Sequence, residues 1–383
     1  MAFLLFGTAL GVWTSRIPAV KEKLGLSDGR LSFALLSFAA GCILGMAVLG
    51  RLTDRFGSSR VLVTAAVLEG LLLIPAGYST GLVALSAAVF CFGAGHGTLN
   101  IAMNANAVEV QRAWGGPIMS SFHAVYSIGG FLGAIVGSVF ARQGVAVGPT
   151  FLTVGLGVLV LAVSTARWVL PEEHTDEIVD EPGGDGPARR SWLLVFFGVL
   201  VLCTLVGEGA AADWSAVYLR DNLATTPGFA AYGFAAFSIM MTVGRIFGDR
   251  LVHALGPVQM VRLGGAVAAV GQGAALVVDR PLAGVAGFGL LGLGLSGIAP
   301  QVFSAAGDHD PKRAGRALSM VVSIGYFGFL LGPILIGAAA GVVGLPAALW
   351  IPVLLAVFVA ASGGVMRAPK SPARQLPERA TPS

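Results

Sequence analysis

"GRLTDRFGSSR", residues 50–60, is a charged island between apolar runs, and a worn copy, "GRIFGDRLVHALG" (244–256), returns in the second half of the chain. Asp249-Arg250 echo Asp54-Arg55, with the following Gly about one helical turn later. Outward from these islands the chain is strongly apolar. Of 383 residues, 55% are hydrophobic and 11% charged, and the mean hydropathy is +0.82, whereas soluble domains carry roughly 25% charged residues. A bilayer span needs about 20 mostly apolar residues. Runs of that kind occupy 1–19, 30–50, 61–78, 81–106, 118–140, 149–169, 191–216, 228–247, 258–278, 281–303, 317–340 and 346–366. The fold class expected is therefore an all-α membrane protein of twelve transmembrane helices joined by short connections.

The rest of the composition agrees with that class. The 55 glycines would each cost roughly 1 kcal/mol relative to Ala in a water-exposed helix, but in lipid they let helices approach closely. Residues 1–19 lack a basic leader, so the first run reads as a retained span and not a cleaved signal peptide. Cys42, Cys91 and Cys203 lie in three different spans and fit no disulfide framework or zinc spacing. No phosphate-binding loop and no nucleophile–base motif is present. The chain reads as neither an enzyme nor a cofactor or metal protein.

With the N-terminus inside, most of the 24 Lys and Arg fall in cytoplasmic connections and the tail, as the positive-inside rule requires. The net charge of +4 then reports topology and not affinity for nucleic acid. Both termini are expected in the cytoplasm, with the bacterial cytoplasmic membrane as the location. So is "PEEHTDEIVDEPGGDGPARR" (171–190), whose acids, Pro and Gly read as a flexible linker. It divides an N-terminal six-helix bundle (1–170) from a C-terminal one (191–366), and 367–383 form a tail. The halves echo each other: "SIGGFLGAIVG" (127–137) answers "SIGYFGFLLGPILIG" (323–337), and "VWTSR" (12–16) answers "DWSAV" (213–217). Transporters are commonly built from such repeats, with the solute site at mid-membrane between them.

Twelve spans, a central loop and Gly50-x-x-x-Asp54-Arg55-x-Gly57-x-x-Arg60 between spans two and three resemble the major facilitator superfamily. "AMNANAVEVQR" (102–112) and "SFHAVYSIGGFLGA" (121–134) look similar to its bacterial fucose-permease-like group. The resemblance implies that the charged island, with Glu109 at the end of span four, latches the cytoplasmic side closed. The second copy, Asp249 and Arg250, departs from the pattern. The resemblance also implies a cavity lined by spans 1, 2, 4, 5, 7, 8, 10 and 11.

Polar groups inside the spans point to that cavity. His96, Asn100 and Asn104 follow at i, i+4 and i+8 on one helix face. Ser120, His123 and Ser127, with Tyr126 beside them, form a second stripe in span five. Such stripes belong against another helix or a wet cavity, and their donors and acceptors suit a polar solute. Arg16 and Trp13 near the end of span one, Trp214 in span seven and Tyr326 in span eleven complete the expected solute contacts. Glu69 in span three and Gln272 in span nine read as buried in outer supports. In span seven, "VGEGAAADWSAVYL" (206–219) holds two acids. Glu208 is about 24 Å along its helix from Trp192, and Asp213 about 7.5 Å further and about 140° around. A charge at the depth of Glu208 costs on the order of 3 kcal/mol, which favours a carboxyl that takes up and releases a proton.

The expected function is secondary active transport of a small polar, sugar-like solute by alternating access, coupled to protons in symport. Glu208 is the leading proton site and Asp213 a modulator. The partners are the solute, protons and lipid, and the expected functional unit is a monomer. The alternative is a proton-coupled antiporter exporting drugs or metabolites. Superfamily antiporters resemble one another in a span-five Gly-x-x-x-Gly-Pro motif, and here that position reads "GGFLGAIVG", without Pro.

Overall fold

The computed structural model describes residues 1–26, 28–49, 55–169, 187–230, 232–309 and 313–366. Gly50 and Asp54 of the first charged island, most of the central segment 171–190 and the tail 367–383 lie outside the described residues.

The described chain is helical, and its long helices are apolar enough to cross a membrane. We number them α1 (Ala2–Lys23), α2 (Asp28–Leu44, extended by the π-helical turn Gly45–Leu49), α3 (Ser58–Tyr78), α4 (Leu82–Trp114), α5 (Met119–Arg142), α6 (Val147–Thr165) and α7 (Pro187–Val217, extended by the π-helical turn Tyr218–Asn222). One continuous stretch, Tyr232–Val278, breaks at Gly256, whose φ of 78° lies outside the helical region. Its limbs are α8 (232–255) and α9 (257–278). The Gly256-Pro257 pair accounts for the break, since Gly accepts the left-handed conformation and Pro cannot donate to the preceding turn. Then come α10 (Pro281–His309, interrupted at 296–297), α11 (Ala314–Val343) and α12 (Leu345–Met366). These are the twelve helices read from the sequence.

Packing repeats with a shift of six helices. In the first half α1 packs on α5, α2 on α4 and α3 on α6. In the second half α7 packs on α11, α8 and α9 on α10, and α9 on α12. Glycines set the closest approaches. Gly7 and Gly11 of α1 face the backbone of α5 at Tyr126 and Gly130, while Gly129 and Gly133 of α5 face Leu4 and Thr8 of α1. Gly41 and Gly45 of α2 interlock in the same way with Gly93 and Gly97 of α4. Each is a Gly-x-x-x-Gly pair, the spacing that puts two small residues on one helix face so that backbones can touch in lipid. The outward faces carry exposed large apolar side chains such as Phe131, Val160, Ile239 and Leu354, as a surface solvated by acyl chains requires.

The two six-helix bundles meet along α4, α5, α10 and α11 and the α8 limb. At the end of the molecule where α4 ends and α5 starts they are joined by hydrogen bonds. Arg112 at the end of α4 bonds Asp308 (2.9 Å) and the Gly307 carbonyl (2.7 Å) of α10. Gln111 reaches Ser304, and Ser319 of α11 donates to the Met46 carbonyl of α2. This end is closed.

Candidate functional site

Between the bundles, at mid-depth, lies a cavity of about 80 Å³. Seven helices line it: α1, α4, α5, α7, α8, α10 and α11. Four of the residues expected at the solute site meet here, Asn100, His123, Tyr126 and Tyr326, together with Glu208. Asn100 donates to the Tyr326 hydroxyl at 2.9 Å, a bond that crosses from one bundle to the other. Asn104, fully buried, donates to the carbonyl and the side-chain oxygen of Asn100 at 2.8 and 2.9 Å and so holds its amide in place.

Glu208 lines the cavity half-buried. No hydrogen bond or ion pair engages its carboxylate among the described residues. Asp213, one and a half turns on, is exposed. The two acids occupy different surroundings, as their 140° separation leads one to expect.

The sequence reading missed Arg245. Arg245 falls near the end of the apolar run 228–247, inside the worn charged copy that reads as the connection after span eight. In the structure α8 continues to residue 255, and Arg245 sits about 15 Å before that end, inside the bundle and 9% exposed. Its Nη1 donates to Ser127 Oγ of α5 at 2.6 Å, and its guanidinium carbon lies 5.9 Å from the Tyr126 ring centre. Among the described residues its Nε has no hydrogen-bond partner, nor does Nε2 of the buried His123. The missed signal was the worn repeat itself: the whole of "GRIFGDR" belongs to the helix, which puts its first Arg inside the bundle. Phe6, Thr204, Phe303 and Phe329 also line the cavity and carry no pattern that separates them from core residues.

Other expected contacts lie elsewhere. His96 does not reach the cavity: its Nδ1 lies 2.7 Å from Glu69 Oε1, both side chains are buried, and its ring stacks on Phe6 at 3.7 Å. Phe6 is thus the wall between this pair and the cavity. Arg16 donates to the Val145 carbonyl at 2.6 Å near the start of α6, and Trp13 packs on Phe151 of α6. Trp214 packs toward Gly337 of α11. All three sit away from the cavity lining.

The charged islands divide likewise. Gly57, at φ 88°, starts α3 in a conformation that suits only glycine. Arg55 and Arg60 are exposed. Glu109 accepts from Ser58 Oγ at 2.9 Å, which ties α4 to α3 within one bundle. Across the bundles the second island acts: Asp249 accepts the backbone N–H groups of Ser120 (2.8 Å) and Ser121 (2.7 Å) at the first turn of α5, while Arg250 is exposed. A carboxylate there both satisfies orphan donors and complements the helix dipole.

Two six-helix repeats around a cavity between them that holds an acid, an arginine and a histidine among apolar walls, closed at one end by bonds between the repeats, define a membrane transporter. The comparisons place it: a family model described as Major Facilitator Superfamily matches residues 1–214 and again 196–383, and the chain belongs to that superfamily. An uncharacterized MFS-type transporter of Yersinia pestis is 34% identical over 365 residues, covering 94% of this chain and 93% of that protein. Among solved structures, the major facilitator transporter FucP in its outward conformation superposes with a TM-score of 0.75 at 17% identity, covering 96% and 98% of the two chains. The proton:xylose symporter XylE bound to 6-bromo-6-deoxy-D-glucose does so at 0.74 and 15% identity, covering 94% and 92%.

Proposed function

We propose that this transporter takes up a small polar, sugar-like solute by proton-coupled symport, with Glu208 as the proton carrier. The carrying observation is the position of Glu208, an acid without a hydrogen bond or ion pair among the described residues, on the wall of the cavity between the two repeats. A carboxyl there meets water only when one end of the transporter opens, and an ionised form is costly while both ends are shut. Protonation from one side and release to the other then accompany the conformational cycle. Around it Asn100, Tyr126, His123 and Tyr326 offer the hydrogen bonds a hydroxylated solute needs. The 1–170 and 191–366 bundles rock about this site, with 171–190 as their tether. The closed end, by the distribution of Lys and Arg, faces the cytoplasm of a bacterial cell, and the monomer suffices because the cavity is complete within one chain. Asp213 modulates from the outer end of α7.

In proteoliposomes, Glu208→Gln is expected to abolish accumulation driven by an imposed proton gradient while leaving solute counterflow within a few-fold of wild type. Concentrative uptake that survives the substitution overturns the assignment.

A further inference from the structure

We infer that the solute carries an acidic group, as in a small hydroxy acid or sugar acid, that Arg245 is its docking point, and that each anion enters with one proton on Glu208. This deepens the symport reading and rests on it.

Arg245 is the starting point. A guanidinium stays charged at any pH the cell meets, and a buried charge needs a partner. Arg245 is 91% buried by its 9% exposure, yet among the described residues no carboxylate pairs with it. One nitrogen serves Ser127, and Nε points to no acceptor. While Glu208 is protonated, neutral hydroxyls leave the charge uncompensated, whereas a solute carboxylate matches both the charge and the planar fork of donors. His123, with its own unpartnered Nε2, lies on the same wall. The Asn100–Tyr326 pair and Tyr126 remain for the hydroxyls of the same molecule.

Glu208 shares the cavity with Arg245 without touching it. The cavity therefore holds one permanent positive charge and room to balance one negative charge. With Glu208 ionised, that balance is already struck, and a second anion meets repulsion in a space of about 80 Å³. With Glu208 protonated, the anion takes its place beside Arg245. Anion binding and proton binding thus favour each other, and the effect is reciprocal. The groups that face Glu208 are Arg245 from α8, His123 and Tyr126 from α5, and Tyr326 from α11. The described lining of α1, α4 and α10 is neutral, with Phe6, Asn100 and Phe303 nearest the argument. The next acid, Glu69, is behind Phe6 and paired with His96. The balance is simple: one monoanion and one proton cross together, and no net charge moves.

The test uses matched pairs on the purified full-length protein: gluconate against glucitol, glucuronate against glucose, and lactate against propane-1,2-diol. Binding is read by calorimetry at pH 6 and pH 8, and flux in proteoliposomes with pH and potential dyes. The expected result is that an acid binds at least tenfold tighter than its neutral partner, more tightly at pH 6, and accumulates in response to a pH gradient but not to a potassium–valinomycin potential. Arg245→Gln is expected to weaken acid binding at least 30-fold. Arg245→Lys, which keeps the charge but not the planar fork, is expected to lose less than Arg245→Gln, and unchanged size-exclusion elution of both variants controls for folding. Glu208→Gln is expected to bind the acid with equal affinity at both pH values. A panel in which no acid outbinds its neutral partner overturns the inference, as does acid binding indifferent to Arg245→Gln. Neutral sugars that bind and carry protons inward leave the symport reading standing while this one fails. Acid that binds and crosses without protons removes both.

Discussion

At the level of single residues, the most buried contact between two polar side chains described is not at the cavity. Glu69 and His96 are 0% and 2% exposed, 2.7 Å apart, and enclosed by Phe6, Phe38 and Phe92 around the imidazole. The pair ties α3 to α4 and backs the Phe6 wall, so it is expected to hold the site's shape and not to bind solute. Removing one partner leaves a buried group unsatisfied, at a cost of about 1–3 kcal/mol. Glu69→Leu is therefore expected to lower stability by that amount in an SDS unfolding titration of the micelle-bound protein, and Glu69→Gln, which keeps an acceptor, by less than half as much. Equal losses would show that the pair's hydrogen bond contributes nothing. The sequence displayed both residues, and the i, i+4, i+8 stripe from His96 to Asn104 was legible. Which helix each stripe residue faces was not, because His96 turns to α3 and Asn100 to α11, and that depends on partners 27 and 226 residues away in the chain. Arg245 was hidden for a different reason: a charged motif that resembles a loop motif reads as a connection, although here the helix runs through it to Gly256.

Helices in this protein are held together by missing side chains as much as by present ones. With lipid as solvent there is no hydrophobic drive between helices, so dispersion across close backbones has to serve. Gly93 shows the constraint. A Cβ there meets the Phe38 backbone carbonyl of α2, which cannot move without the whole helix moving. Gly157 of α6 has open space in the same direction and lies on the exposed face. Gly93→Ala is accordingly expected to cost about 1–3 kcal/mol by overpacking, while Gly157→Ala is expected to be neutral or stabilising by up to about 1 kcal/mol, since Ala is the better helix former. Parallel unfolding titrations compare the two, and equal effects would remove the close-packing argument. The twelve elements themselves were readable, because an uninterrupted apolar run of about 20 residues has few alternatives. Their ends were less so: the π-helical turns after α2 and α7 and the extension of α8 to Gly256 leave no mark in hydropathy.

For the molecule as a whole, the question is what keeps one end shut. The sequence motif directs attention to the first charged island, but the described bonds between bundles at this end come from the second island, from α4 and α10, and from Ser319 of α11 to the Met46 carbonyl. These are unequal. The Arg112–Asp308 pair is 33% and 53% exposed, and exposed pairs contribute about 0–1 kcal/mol. Asp249 accepts two backbone N–H groups at a helix start in a partly buried setting, where capping and dipole effects together reach about 1–2 kcal/mol. Both interactions vanish when the bundles part, so each contributes directly to the equilibrium between the two access states. A loss of about 1.4 kcal/mol shifts that equilibrium tenfold. Val108, fully buried beneath Gly307 where α4 meets α10, is a suitable reporter. With Cys42, Cys91 and Cys203 replaced by Ser and Val108 by Cys, labelling by a membrane-impermeant maleimide from the closed side measures opening. Asp249→Ala is expected to raise the labelling rate about tenfold and Asp308→Ala no more than about threefold. The larger effect from Asp308 would mean that the surface ion pair, and not the capped helix start, governs closure.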